Sequence, residues 1–233
     1  MHIGFILDGN RRWATSKGLI KMLGHTAGVD NIENILDLCL RENIEYVSMW
    51  ILAKKNIENR SKEELAHLYS LFRTKIPAFL PNFLKKGIKF ETVGDLNLLP
   101  NDIKEMLHNV KEKTKLGNNM TFILGIGYGG QDEIIRGIKD YITTNLTKIQ
   151  NKPEKLLEKL NEQSFSEFLD SGKFPPPDLI VRTGGDIRLS GYFLYQSEYS
   201  EYYFTKTLWP DFNEEEFYKA YLSLKGAKRN FGK

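Results

Sequence analysis

The sequence predicts a single α/β domain, a mostly parallel central sheet flanked by helices and spanning residues 1–233. Three observations predict it. Short strand-like apolar runs alternate with segments of helical periodicity, the order expected of βα units. Two clusters rich in arginine and glycine each follow a strand-like run directly, at the strand ends where open α/β sheets collect ligands. At 233 residues, with no internal repeat and no low-complexity linker, nothing divides the chain in two.

Residues 3–7 are a continuous apolar run that stops at the turn signal Asp8-Gly9-Asn10. Val29, Ile32, Ile35, Leu36 and Cys39 recur at helical spacing and predict a helix over 26–42. Residues 46–52 read as a buried strand. Ser61-Lys62-Glu63-Glu64 is a capping box opening a helix with Leu65, Leu68, Phe72 and Ile76 on one face, which Pro77 and Pro81 should bend or interrupt. Strands are expected at 88–93 and 120–124, with a helix over 102–113 between them. A glycine-rich turn at 125–130 precedes a helix bearing Ile134, Ile135, Ile138 and Ile142. The Lys-rich stretch 145–173, with a second capping box at Ser164 to Glu167, reads as a surface excursion. Pro175-Pro176-Pro177 stiffens the return to a strand at 178–181, and Asn213 with Glu216 caps a last helix.

Composition narrows the function classes. Thirty-three basic against 30 acidic residues nearly cancel, which argues against nucleic acid as a partner. The single cysteine, Cys39, cannot form an internal disulfide and sits among apolar helix positions, which favours a reducing compartment. No apolar run approaches the ~18 residues of a spanning helix, and the first apolar run is too short for a signal-peptide core. A cytoplasmic protein is expected.

Two motifs carry chemistry. Asp8 to Ala14 reads DGNRRWA: Gly9 allows close backbone approach, Arg11 and Arg12 offer planar forks for phosphate oxygens, and Asp8 is a hard carboxylate suited to Mg²⁺. Arg182 to Ser190 reads RTGGDIRLS, with two arginines and a serine around a Gly-Gly turn that suits a second diphosphate. Taken singly, each also suits a solvated turn; two at strand ends point to anion binding. His25, after Gly24, fits a capping or core role equally well. There is no P-loop signature, and the glycines at 125, 127 and 130 lack the acidic residue expected ~20 positions on for a dinucleotide site.

HIGFILDGNRRWA, LGHTAG, KNIENRS, YGGQDEI, DLIVRTGGDIRLSGYFLYQ and YSEYYFTKTLWPDF, in that order, resemble the motif set of the cis-prenyltransferase (undecaprenyl diphosphate synthase) family. The resemblance covers nearly the whole chain, and no adjacent Asp pair of the trans-acting type occurs. It implies an enzyme that extends an allylic diphosphate (farnesyl or geranyl) with isopentenyl diphosphate, using Mg²⁺, as a homodimer with an apolar tunnel for the product and peripheral membrane contact for its release.

Residue by residue, the resemblance implies that Asp8 holds the metal and assists departure of the allylic diphosphate. Gly9, Asn10, Arg11, Arg12, Lys21 and His25 would bind that diphosphate, with Trp13 packed beside them. Arg182, Arg188 and Ser190 would bind isopentenyl diphosphate, and Glu201 would be the second metal carboxylate. Asn56 matches a residue associated with proton loss, and Arg60 the arginine closing its motif, with a one-residue offset that could shift the role to Asn59. Three departures stand out: Ala53-Lys54-Lys55 replaces a hydroxyl-rich acidic stretch, Ile57 replaces an aromatic, and Asn230 stands for an arginine near Arg229. Ile51 occupies a position where long-product members carry a smaller side chain, implying a tunnel closed early. The competing readings are a non-catalytic partner subunit of the same fold, expected to have lost Asp8 and the arginines, and a basic nucleic-acid-binding module.

Overall fold

A computed structural model describes residues 1–151 and 153–226. Strands β1 (His2–Ile6), β2 (Tyr46–Ala53), β3 (Ile88–Val93), β4 (Met120–Tyr128), β5 (Leu179–Arg182) and β6 (Glu201–Phe204) form one sheet in the order β3-β4-β2-β1-β5-β6, every pairing parallel. The helices are α1 (Asn10–Ser16), α2 (Lys21–Arg41), α3 (Lys54–Asn59), α4 (Lys62–Lys86), α5 (Asn101–Thr114), α6 (Gly130–Thr144), α7 (Leu146–Asn151), α8 (Pro153–Leu157), α9 (Glu162–Ser166) and α10 (Glu214–Gly226).

β1 is buried at all five residues and β5 at all four, because each lies between two strands under helices on both faces. Phe5, Val47 and Met49 pack with Ile35 and Cys39 of α2 and Phe72 and Ile76 of α4 in one core. Fully burying each such side chain contributes about 1.5–3 kcal/mol. Cys39 is wholly buried, as its helical setting predicted.

The structure corrects three expectations. α4 runs unbroken through Pro77 and Pro81 to Lys86. Both prolines and Arg73 are exposed, so carbonyls deprived of a donor face water, while Leu68, Leu71, Phe72, Ile76, Phe79 and Phe83 are buried along the opposite side. The glycines at 125 and 127 belong to β4, which extends to Tyr128. In the excursion the capping box is Asn161 with Ser164, three residues before the expected one. The edge strand β6, half-exposed and four residues long, went unrecognised in the sequence. The basic tail, with Arg229 and Asn230, lies outside the described residues.

One irregularity matters for the site. β2 pairs with β4 from Trp50 to Gly125 and then from Leu52 to Ile126, so Ile51 is an extra residue in a β-bulge. Bulges re-aim side chains beside functional sites.

Candidate active site

The carboxyl ends of β1, β2 and β5, with α1 and α3, enclose a cleft of about 500 Å³. Asp8, Gly9, Asn10, Arg11, Arg12, His25, Asn56, Arg60, Arg182, Arg188 and Ser190 all line it. β1 ends at Ile6, and the main chain of Asp8 is then fixed by Thr183: the Asp8 N–H donates to Thr183 Oγ1 at 3.0 Å, and that hydroxyl donates to the Asp8 carbonyl at 2.7 Å. Gly9 follows with φ 107°, a left-handed geometry that starts α1 beside the cleft. α2 seats against α1 through Gly24 and Gly28, where an added Cβ would strike the Asn10 carbonyl oxygen and the Asn10 side chain respectively.

Both carboxylate oxygens of Asp8 are engaged. Arg182 Nη2 donates to Oδ2 at 2.8 Å and Arg12 Nη2 to Oδ1 at 3.1 Å. Burial alone would raise the Asp8 pKa, but the Arg182 hydrogen bond and charge, with Arg12, bring it below the usual carboxylate value. Arg182 is itself buried; its Nη1 donates to the Arg188 carbonyl at 2.5 Å and to Ser190 Oγ at 2.9 Å. Asp186 completes this corner, 2.7 Å from Arg188, 3.5 Å from Arg182 and 4.0 Å from Arg12.

A second corner centres on Glu64, on the first turn of α4. Its carboxylate accepts from His25 Nε2 at 3.0 Å and pairs with Arg60 at 3.4 Å and Arg11 at 3.8 Å. Burial, followed by the Arg60 charge, lowers the His25 pKa despite Glu64, so the ring is neutral near pH 7 and its Nε2–H donates.

Five guanidinium groups thus line a cleft that contains two carboxylates, Asp8 and Asp186. Arg60 Nη1, Arg182 Nε and Trp50 Nε1 are buried donors without a protein partner, all on lining residues. An anion with several oxygens satisfies such donors. Next to the cleft lies a small, mostly apolar space of about 10 Å³ lined by Val29, Ile32, Phe72, Lys75, Ile76 and Phe79; Ile51 lines both spaces.

Three expected residues are elsewhere. Trp13 does not line the cleft; its Nε1 donates to Asp211 at 2.7 Å, bracing α1 against the turn Trp209–Asp211. Lys21 opens α2 one turn before His25, exposed and not in the cleft lining. Glu201 pairs with Leu179 at the amino end of β6, whereas the cleft borders the carboxyl end, where Arg182 pairs with Phe204. Within one chain it does not reach Asp8. Among the described residues no group of three or more His, Cys, Asp or Glu is placed to hold a metal ion. Asp8 and Asp186 are the carboxylates lining the cleft, and a pair of carboxylates completed by phosphate oxygens is a donor set Mg²⁺ accepts.

Sequence reasoning missed Asp186, Glu64 and Trp50. Asp186 stands inside RTGGDIRLS between two arginines, a signal that was available; Glu64 looked only like a capping residue; Trp50 is one more apolar position in a buried strand.

A parallel sheet whose carboxyl edge carries an arginine-lined cleft defines an α/β protein suited to a phosphorylated ligand. A family model described as "Putative undecaprenyl diphosphate synthase" matches residues 6–232, and the chain belongs to this prenyltransferase family. It is 38% identical over 231 residues to the isoprenyl transferase of Treponema denticola, covering 99% of this chain and 96% of that one. It is 36% identical to the geranylgeranyl-diphosphate-specific tritrans,polycis-undecaprenyl-diphosphate synthase of Thermoplasma acidophilum, covering 100% and 88%. Among solved structures it resembles lavandulyl diphosphate synthase from Lavandula x intermedia in complex with dimethylallyl diphosphate, with a TM-score of 0.89, 30% identity, and coverage of 100% and 98%.

Proposed function

We propose that this protein is a cis-prenyltransferase that condenses isopentenyl diphosphate onto farnesyl or geranyl diphosphate to give a Z-polyprenyl diphosphate. The observation that carries the reading is Asp8 held between Arg12 and Arg182 in a five-arginine cleft, with Ile51 separating that cleft from a small, mostly apolar space.

Ionisation of the allylic carbon–oxygen bond leaves negative charge on the departing diphosphate. Preorganised guanidinium donors in a partly buried site stabilise that charge more than the substrate's initial charge distribution. Arg11, Arg12, Arg60 and neutral His25 surround the allylic side, and Arg182, Arg188 and Ser190 the isopentenyl side. The second substrate's alkene must be held against the cationic carbon, so catalysis also rests on positioning. Asn56 lies in the cleft; an amide is a poor base, so it orients a group or a water while a diphosphate oxygen accepts the final proton. Asp8, with Asp186 beside it, would hold Mg²⁺, which when bound supplies charge neutralisation on the diphosphate.

Ile135, Ile138 and Ile142 are 52%, 40% and 46% exposed along one side of α6, an apolar stripe that a second copy of the chain would cover in a homodimer. No described helix is long and apolar enough to cross a membrane. We place the protein in the cytoplasm, with product release through peripheral membrane contact.

Purified protein incubated with Mg²⁺, labelled isopentenyl diphosphate and either primer tests the reading. Elongated labelled products that disappear with a chelator are expected; no incorporation with any primer overturns it.

A further inference from the structure

Helix α3 brings Asn56 and Arg60 to the cleft, yet none of its residues is fully buried. Ile57 packs against the core from a partly buried position, and an ion pair is made at each end. At the carboxyl end Arg60 pairs with Glu64. At the amino end Lys54, the first residue of the helix, reaches Asp132 Oδ1 at 2.5 Å. A cation in a first turn opposes the helix dipole, and no acidic residue of α3 offsets it there. The side chain is therefore not explained by the helix it begins.

Its partner is itself tightly held. Asp132 Oδ2 accepts from Arg136 Nε at 2.9 Å. Arg136 also grips both oxygens of Asp170, at 2.9 and 2.6 Å, and Asp170 accepts the Gly94 N–H at 3.0 Å. The chain of contacts runs from the end of β3, through the segment before β5 and helix α6, to the start of α3. Lys54 and Asp132 side chains are 29% and 17% exposed, partly shielded from solvent screening.

We propose that Lys54 is a positioning residue: its ion pair with the Asp132–Arg136–Asp170 network fixes α3 so that Asn56 and Arg60 face the bound diphosphates. The inference rests on the proposed diphosphate chemistry and adds to it a residue outside the cleft. The unusual Ala53-Lys54-Lys55 stretch then has a purpose for its second residue: a buttress to α6.

The test compares wild type, Lys54→Met, Lys54→Arg, Asn56→Ala and the Lys54→Met/Asn56→Ala double variant. Elongation kinetics, inorganic pyrophosphate binding by calorimetry, and Tm are read for each. Lys54→Met is expected to lower kcat/KM about tenfold and to weaken pyrophosphate binding, with Tm nearly unchanged, since small misplacements of catalytic groups are costly. Lys54→Arg should restore most of the loss, and in the Asn56→Ala background Lys54→Met should lower kcat much less than it does alone. Wild-type kinetics and pyrophosphate affinity in Lys54→Met overturn the inference, as do losses that simply multiply in the double variant. A wild type that binds pyrophosphate but elongates no primer overturns the proposed function alone, and the pyrophosphate comparison then decides the role of Lys54.

Discussion

Arg182 Nη2 lies 2.8 Å from Asp8 Oδ2, joining the turn after β1 to the end of β5 across 174 residues of chain. The bond makes Asp8 both a carboxylate of the cleft and the counter-charge of an arginine that is 4% exposed. Asp8→Asn should lower elongation about 10²–10³-fold, a loss typical of removing one charge-stabilising group from an active site. Arg182 keeps Ser190, the Arg188 carbonyl and Asp186, so the fold should survive with a measurably lower Tm. Labelled-product assays and thermal melts on one preparation check both parts. An active Asp8→Asn enzyme would contradict the site assignment.

Glu64 gathers His25, Arg60 and Arg11, so its carboxylate sets three cleft side chains at once. Glu64→Gln keeps the shape but removes the charge. It should raise KM for the allylic primer about tenfold with a smaller change in kcat, the pattern of weakened substrate binding. Steady-state kinetics with the primer varied at saturating isopentenyl diphosphate give the split.

The bulge residue Ile51 stands between the polar cleft and the small, mostly apolar space. Ile51→Ala opens that boundary and should shift products to longer chains, at a stability cost of about 1–2 kcal/mol for a partly buried site. Chromatographic sizing of labelled products is the readout. An unchanged product distribution would remove Ile51 as the length limit.

His2 is fully buried, with Nδ1 2.7 Å from the Pro175 carbonyl and Nε2 2.8 Å from Ser48 Oγ. The Nδ1–H donates to the carbonyl, so Nε2 accepts from the serine hydroxyl and the ring is neutral. Burial lowers its pKa from 6.5 to about 4. The unfolded chain therefore binds a proton first as the pH falls, and stability should decline between about pH 6.5 and pH 4, by about 3 kcal/mol in total. Urea unfolding at pH 7 and pH 5 should show this slope in wild type and a flatter one in His2→Gln, whose side chain does not titrate.

The strands and helices were readable where the signal is local. β3 begins and ends where the sequence placed it because its buried run is bounded by glycine at each end. The meeting of Asp8 with Arg182 was foreshadowed because both follow apolar runs that become neighbouring parallel strands. What failed depended on distant partners. Proline signals a helix break locally, whereas the apolar side of α4 is buried from Leu68 to Phe83 and keeps the helix whole. Glu64 was legible as a cap but not as an ionic hub, since that needs α4 to approach both α1 and α2. Glu201 shows a limit of a different kind: a motif match does not say which end of a strand a residue occupies, and β6 places it opposite Leu179, at the end away from the cleft.

The glycine contacts between α2 and α1 constrain mutation unequally. A side chain at Gly24 would strike the Asn10 carbonyl, a backbone atom that cannot swing aside, whereas one at Gly28 meets the Asn10 side chain, so the tighter of the two constraints on this flank of the pocket sits at Gly24.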